Sequence, residues 1–166
     1  MTRLILPLVA ATAATTLYGA DWPDVKYSEV RAYYYNATSQ HDCRILDGKG
    51  RLDASVVDKN GVVLNADQVA RLLAAINGQQ RIHPITACYV PHHAFIFYNS
   101  WGRRVAVFEF CLECLKASPD PNNTGPYYNY PALAELIADL HLPLGPKFKD
   151  PAAYKRRYDR MLRTPS

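Results

Sequence analysis

The chain has 166 residues, of which 49% are hydrophobic and 20% are charged, and its formal net charge is +4. This length suits one domain with a substantial core, and the composition is that of a globular chain and not of a disordered one. The charge is uneven, because seven basic residues stand against two acidic ones between positions 147 and 163. We interpret this segment as a helix with a solvated basic face, and not as a nucleic-acid-binding surface.

At the N-terminus, residues 1–20 resemble a signal peptide. Arg3 precedes an alanine-rich, mostly apolar run that carries no further charge until Asp21. The alternative is a hydrophobic first strand or helix of a cytosolic protein. We expect an exported protein, periplasmic or secreted, whose single globular domain covers residues 21–166. No later segment has the ~18 to 20 apolar residues of a membrane span, so none is expected in the mature chain.

Three stretches after this segment predict strands and turns. Residues 29–37 (EVRAYYYNA) are rich in strand-forming side chains. Aspartate and glycine in residues 47–50 predict a turn. Residues 54–64 (ASVVDKNGVVL) predict a hairpin, because Asn60-Gly61 lies between two valine pairs and favours the positive φ of tight turns.

Three later segments predict helices. The first begins after Asn65, with Gln68 three residues on as in a capping box. The second begins at Pro131, and the third at Asp150-Pro151, a capping residue followed by proline at the first helical position. The predicted core-facing residues of the three helices are Val69, Leu72, Leu73, Ile76, Leu133, Leu136, Ile137, Leu140, Tyr154, Tyr158 and Met161.

Between the first and second helices lies the most unusual stretch. Residues 95–98 (FIFY) and 105–108 (VAVF) predict two strands, joined by a turn at 99–102 (NSWG). Together the elements predict a small α+β domain, with one antiparallel sheet that includes a 94–108 β-hairpin and about three helices.

The register of this hairpin predicts which side chains meet. If Asn99 faces Gly102, then His92 faces Glu109 across the strands and forms a polar pair with it. Alternation along the strand places His93 on the aromatic face that should meet the core, and His92 on the opposite face.

The same register brings three cysteines together and allows a metal site. Cys111-x-x-Cys114 has the spacing that offers two thiolates to one ion, and Cys88 approaches from the other strand. Zinc is the expected metal for three thiolates and one imidazole. The candidate ligands are Cys88, His92, His93, Cys111 and Cys114.

A disulfide explains the cysteines equally well, because an exported chain with four cysteines is expected to oxidise. Cys88 can pair with Cys111 or Cys114, and Cys43 with the remaining one. A third interpretation is a thiol–disulfide oxidoreductase that uses Cys111 and Cys114. It is disfavoured, because the prolines soon after Cys114 leave no room for the helix that such motifs begin.

We therefore predict a non-enzymatic exported domain that binds a partner protein or small ligand and is held by a disulfide or a structural zinc. The alternative is an oxidoreductase or another thiol- or histidine-dependent enzyme. Motifs for covalent haem attachment, zinc deaminases, serine hydrolases and nucleotide binding are not found in the sequence.

Overall fold

The computed structural model of the protein describes residues 22–36, 44–78, 88–119 and 128–163. The signal-like segment at 1–20 and Cys43 lie outside the described residues.

The described residues form a five-stranded antiparallel sheet and three helices. The strands are β1 (Glu29–Tyr34), β2 (Val62–Val63), β3 (His93–Tyr98), β4 (Arg104–Cys111) and β5 (Lys116–Ser118). The helices are α1 (Ala66–Asn77), α2 (Tyr130–Asp139) and α3 (Pro151–Met161). The strand order is β2-β1-β3-β4-β5, and every neighbouring pair is antiparallel. The predicted α+β class, the hairpin and the three helices are confirmed.

A side chain caps the N-terminus of each helix by accepting one of its free backbone N–H groups. Asn65 accepts a hydrogen bond from the N–H of Gln68, and the Gln68 side chain accepts one from the N–H of Asn65, each at 2.9 Å. The side chains of Asn129 and Asp150 cap α2 and α3 by accepting one backbone N–H each, at 3.0 and 2.6 Å. These caps supply partners for groups that helices otherwise leave unsatisfied. Helix α2 begins at Tyr130, one residue before the predicted start.

The three helices cover one face of the sheet and enclose the main core with it. That face contributes four buried phenylalanine rings, Phe95, Phe97, Phe108 and Phe110. The opposite face carries a smaller buried cluster, which residues 44–56 cover. Its buried members are Tyr33, Tyr35, Ile45, Val56, Ala94 and Ile96. No helix in the described ranges is long and apolar enough to cross a membrane.

The predicted hairpin at residues 54–64 is wrong. Val62 pairs with Ala32 of β1, and Val56 forms a bridge with Tyr35, just beyond the end of β1. Both valine segments therefore lie along one edge of the sheet, with the turn at 58–61 between them. An isolated two-stranded hairpin is marginal in water, whereas pairing with a central strand adds backbone hydrogen bonds and burial. Gly61 still has the predicted positive φ, at +64°.

Candidate functional site

The turn between β3 and β4 is wider than the sequence predicts. Asn99 donates its N–H to the carbonyl of Arg103 at 2.9 Å, so Asn99 faces Arg103 and not Gly102. Gly102 has a φ of +68° and is the extra residue of the turn. A second irregularity between Phe97 and Tyr98 moves the pairing by one more residue.

These two shifts move the predicted register by two residues. Ala94 lies opposite Glu109, and His93 lies opposite Phe110. The prediction that His92 faces Glu109 is therefore wrong. Because side chains alternate with a period of two, an even shift leaves each strand residue on its predicted face. His93 is buried in the aromatic core, and Glu109 lies on the opposite face.

A disulfide joins Cys88, just before β3, to Cys114, just after β4. The two Cα atoms are 5.7 Å apart, which lies within the ordinary range for disulfides. Cys88 is exposed and Cys114 is buried. The bond links residues 26 positions apart and closes the open end of the hairpin. The prediction that Cys88 lies close to the Cys111-x-x-Cys114 motif is therefore confirmed, although the predicted strand register was wrong.

Cys111, the last residue of β4, is a buried free thiol. Its Sγ accepts a hydrogen bond from the backbone N–H of Cys114 at 3.2 Å. Burial raises the pKa of the Cys111 thiol, although neighbouring backbone N–H groups, that of Val90 first, act in the opposite direction. A thiol with a raised pKa carries little thiolate at neutral pH, and the thiolate is the nucleophile. Its proposed partner Cys43 lies outside the described residues.

The Cys111-x-x-Cys114 motif forms the connection between two strands. Cys111 pairs with Lys116, so residues 112–115 form a turn between β4 and β5. Leu115 has a positive φ of 51° in this turn. No helix begins at the motif, so no helix dipole lowers the pKa of its thiols in the way that thioredoxin-like sites require.

His93 is a core residue with one ring nitrogen in a hydrogen bond. Its Nε2 lies 2.6 Å from the carbonyl oxygen of Pro143, and its ring stacks on Phe110 at a centroid distance of 5.3 Å. Because a carbonyl only accepts, Nε2 carries the proton and donates it. Nδ1 is buried and has no hydrogen-bond partner in the described structure. Burial lowers the pKa of His93 to about 4, so the imidazole is neutral at neutral pH.

His92 lies just before β3 and is only half-buried. Its Nδ1 is 3.1 Å from the carbonyl oxygen of Tyr35. Its ring stacks on Tyr34 at 6.1 Å, and the His93 ring contacts the same tyrosine at 5.5 Å. The two histidines therefore share a neighbour instead of pointing to opposite faces, because the strand and its alternation begin only at His93.

Glu109 is a buried carboxylate that accepts hydrogen bonds from one side-chain donor and one backbone donor. One oxygen, Oε2, accepts from the hydroxyl of Tyr35 at 3.1 Å and from the N–H of Ile45 at 3.2 Å. Burial raises the pKa of Glu109, and these hydrogen bonds partly oppose that shift. The carboxylate thus ties β4 to the residue that follows β1 and to the segment that covers this face.

Two tyrosines at this site were missed by the sequence patterns. Tyr34 packs against both histidines, and Tyr35 binds Glu109. The run of three tyrosines at 33–35 was a usable signal, because neighbours in a strand point to opposite faces. What the pattern lacked was the pairing of β1 with β3, which places this run beside the histidines.

Within the ranges that the structure describes, no three histidine, cysteine or acidic side chains are grouped to hold a metal ion. Of the candidate zinc ligands, Cys88 and Cys114 are oxidised together, and His93 Nε2 is hydrogen-bonded to Pro143. Comparison with known protein families, curated proteins and solved structures finds no match to this chain.

Proposed function

We propose that this chain is an exported, disulfide-stapled binding domain whose hairpin cysteines and histidines are structural. The disulfide between Cys88 and Cys114 carries the proposal. Disulfides persist in oxidising compartments, and residues 1–20 have the composition of an export signal. A protein partner or a small ligand is the expected binding target.

The polar groups around the hairpin are buried or hydrogen-bonded within the protein, which supports a structural role for them. The Cys111 thiol is buried and its pKa is raised. The Nε2 of His93 donates to a backbone carbonyl. Glu109 accepts two hydrogen bonds on one oxygen. A covalent catalyst needs a nucleophile, a base and an orienting group that are hydrogen-bonded to one another. These three side chains instead bond to other groups, so they do not form such a set.

A second candidate function is thiol–disulfide exchange, which the position of Cys111 favours. Its Sγ lies beside Cys114, whose sulfur is already in a disulfide. Attack by the Cys111 thiolate on the Cys114 sulfur would form a Cys111–Cys114 disulfide and release Cys88 as an exposed thiolate. The number of disulfides is unchanged in this step. The raised pKa of Cys111 opposes it, because few molecules carry the attacking thiolate.

A structural zinc is the remaining candidate from the sequence, and it needs a reduced site. Cys88, Cys111 and Cys114 would supply thiolates, and one of the two histidines would supply a nitrogen. His92 is the better placed of the two, because it is only half-buried, whereas His93 would have to give up its bond to Pro143.

Peptide mapping and metal analysis of the full chain, expressed with its N-terminal segment, test these candidates together. We expect the protein in the exported fraction, with a peptide linked through Cys88 and Cys114 and no stoichiometric metal. Cys111 should resist alkylation in the folded protein and react after denaturation.

Each other outcome selects a different function. A Cys111–Cys114 linkage in the isolated protein, with reduction of a disulfide substrate, would support the oxidoreductase. Free thiols at Cys88, Cys111 and Cys114 with about one equivalent of zinc would support the metal site. Either result would overturn the disulfide-stapled domain.

A further inference from the structure

A basic groove lies at the far end of the β3–β4 hairpin from the disulfide. It is a shallow, open depression of about 500 Å³ between the turn at 47–52 and the hairpin tip. The lining residues are Arg51, Leu52, Tyr98, Gly102, Arg103 and Arg104. Three of these six carry a guanidinium group and none is acidic, so the groove should attract anions.

Neighbouring groups hold two of the three guanidinium groups in place. Arg51 forms an ion pair with Asp47 at 2.9 Å. Arg104 donates to the carbonyl of Gly50, which joins the hairpin to the turn at 47–52. Asp47 balances one of the three charges, so the groove retains an excess of two positive charges. Guanidinium groups present paired donors that match the oxygens of a phosphate group.

Trp101 lies in the hairpin turn, directly before Gly102 and Arg103 of the groove lining, and is 81% exposed. Hydrogen bonds hold the turn beneath it, because the side-chain oxygen of Asn99 accepts from the N–H groups of Trp101 and Arg103, at 3.1 and 3.0 Å. An exposed indole on a held turn has no role in the core. Tryptophan, like tyrosine, is enriched at the boundary between lipid headgroups and acyl chains, where its apolar ring and polar N–H are both satisfied.

We propose that the hairpin tip binds an anionic lipid surface, with Arg51, Arg103 and Arg104 on the lipid phosphates and Trp101 inserted among the headgroups. This inference goes beyond the proposed binding function, whose expected target is a protein or a small ligand, because it gives the hairpin tip a lipid surface as a further partner. Basic side chains and an interfacial aromatic act together on such a surface, since the cations supply attraction and the indole supplies burial. A free phosphate would use the arginines and leave Trp101 in water.

Binding to lipid vesicles tests the proposal on the purified protein, after mapping has established the Cys88–Cys114 disulfide. We expect co-sedimentation with vesicles that contain phosphatidylglycerol, much weaker binding to pure phosphatidylcholine, and loss of binding at high salt. Because the disulfide is verified first, a failure to bind would overturn this inference and leave the stapled domain standing.

Two variants locate the binding surface. Arg51→Gln combined with Arg103→Gln removes two charges from exposed side chains and should weaken vesicle binding about 30-fold, since each cation near an anionic surface contributes about fivefold. Trp101→Ser should weaken it about tenfold. Lys149→Gln combined with Arg156→Gln is the matched control, because it removes two exposed charges from the other basic segment. Thermal unfolding checks that all variants fold.

Three results would overturn the proposal. The first is equal weakening by the groove variant and the control, which would indicate attraction to net charge alone. The second is unchanged binding by Trp101→Ser together with equally tight binding of soluble glycerol phosphate, which would indicate a free-phosphate site. The third is tighter binding of a DNA oligonucleotide than of vesicles, which would indicate a nucleic-acid surface.

Discussion

At the residue scale, His93 and His92 are adjacent in sequence and differ in what surrounds them. His93 lies inside the aromatic core between Tyr34 and Phe110, and His92 lies at its margin. Removal of a buried ring leaves a cavity that the neighbouring side chains fill only in part, whereas removal of a half-buried ring leaves a space that water can enter.

We therefore expect His93→Ala to lower the free energy of unfolding by about 2 to 4 kcal/mol, and His92→Ala by less than about 1 kcal/mol. Urea denaturation of both variants measures the difference. Equal midpoints in the two variants would show that the assigned environments are wrong.

His93 should also make stability depend on pH. Burial lowers its pKa to about 4 in the folded protein, against about 6.5 in the unfolded chain. Between these values the unfolded state binds more protons. The free energy of unfolding should therefore fall as pH falls from about 6.5 to about 4, by roughly 3 kcal/mol, and this contribution should be constant above that range.

His93→Gln isolates this effect, because glutamine does not titrate in the same range. Glu109 acts in the opposite direction, since burial raises its pKa and its contribution is lost as pH rises through the folded value. The difference between wild type and variant cancels Glu109. Identical pH profiles for the two proteins would contradict the assigned His93 environment.

At the element scale, substitutions at two glycines with positive φ distinguish the cost of backbone strain from the cost of steric crowding. A Cβ added at Gly61 would lie 2.7 Å from a ring carbon of Tyr33 and 2.8 Å from the carbonyl oxygen of Ala32. A Cβ added at Gly102 would meet nothing within 4 Å. Their φ values are nearly equal, at +64° and +68°.

Gly61→Ala should therefore cost about 3 kcal/mol of stability, the sum of left-handed strain and a clash with β1. Gly102→Ala should cost only the strain, about 1 kcal/mol. Thermal or chemical unfolding of the two variants gives the comparison. A larger loss for Gly102→Ala would mean that the valine segments do not lie along the edge of β1.

At the scale of the whole molecule, the Cys88–Cys114 disulfide restricts the unfolded chain. The bond joins residues 26 positions apart, for which loss of chain entropy predicts a contribution of about 3.5 kcal/mol. Cys88→Ser should lower the free energy of unfolding by this amount. The same loss should follow reduction of the wild type, and reductant should leave the variant unchanged. Cys111→Ala is the control, because it keeps the disulfide and removes only a buried thiol.

Much of the secondary structure is determined by the sequence over short distances. The caps at Asn65 and Asp150 and the apolar stripes of the helices act within a few residues of one another, so pattern and structure agree. The faces of β3 and β4 were also correct, because a strand has a period of two and the register error was even.

Tertiary structure alone decided how these elements meet. The register depends on one extra turn residue and one bulge, which local patterns do not encode. The valine segments of 54–64 pair with β1 because a sheet edge offers more burial than their own hairpin. The choice of Cys114 over Cys111 and the approach of Arg51 to Arg104 likewise depend on contacts between residues far apart in the chain. Local chemistry selects the elements, and long-range burial and geometry select their partners.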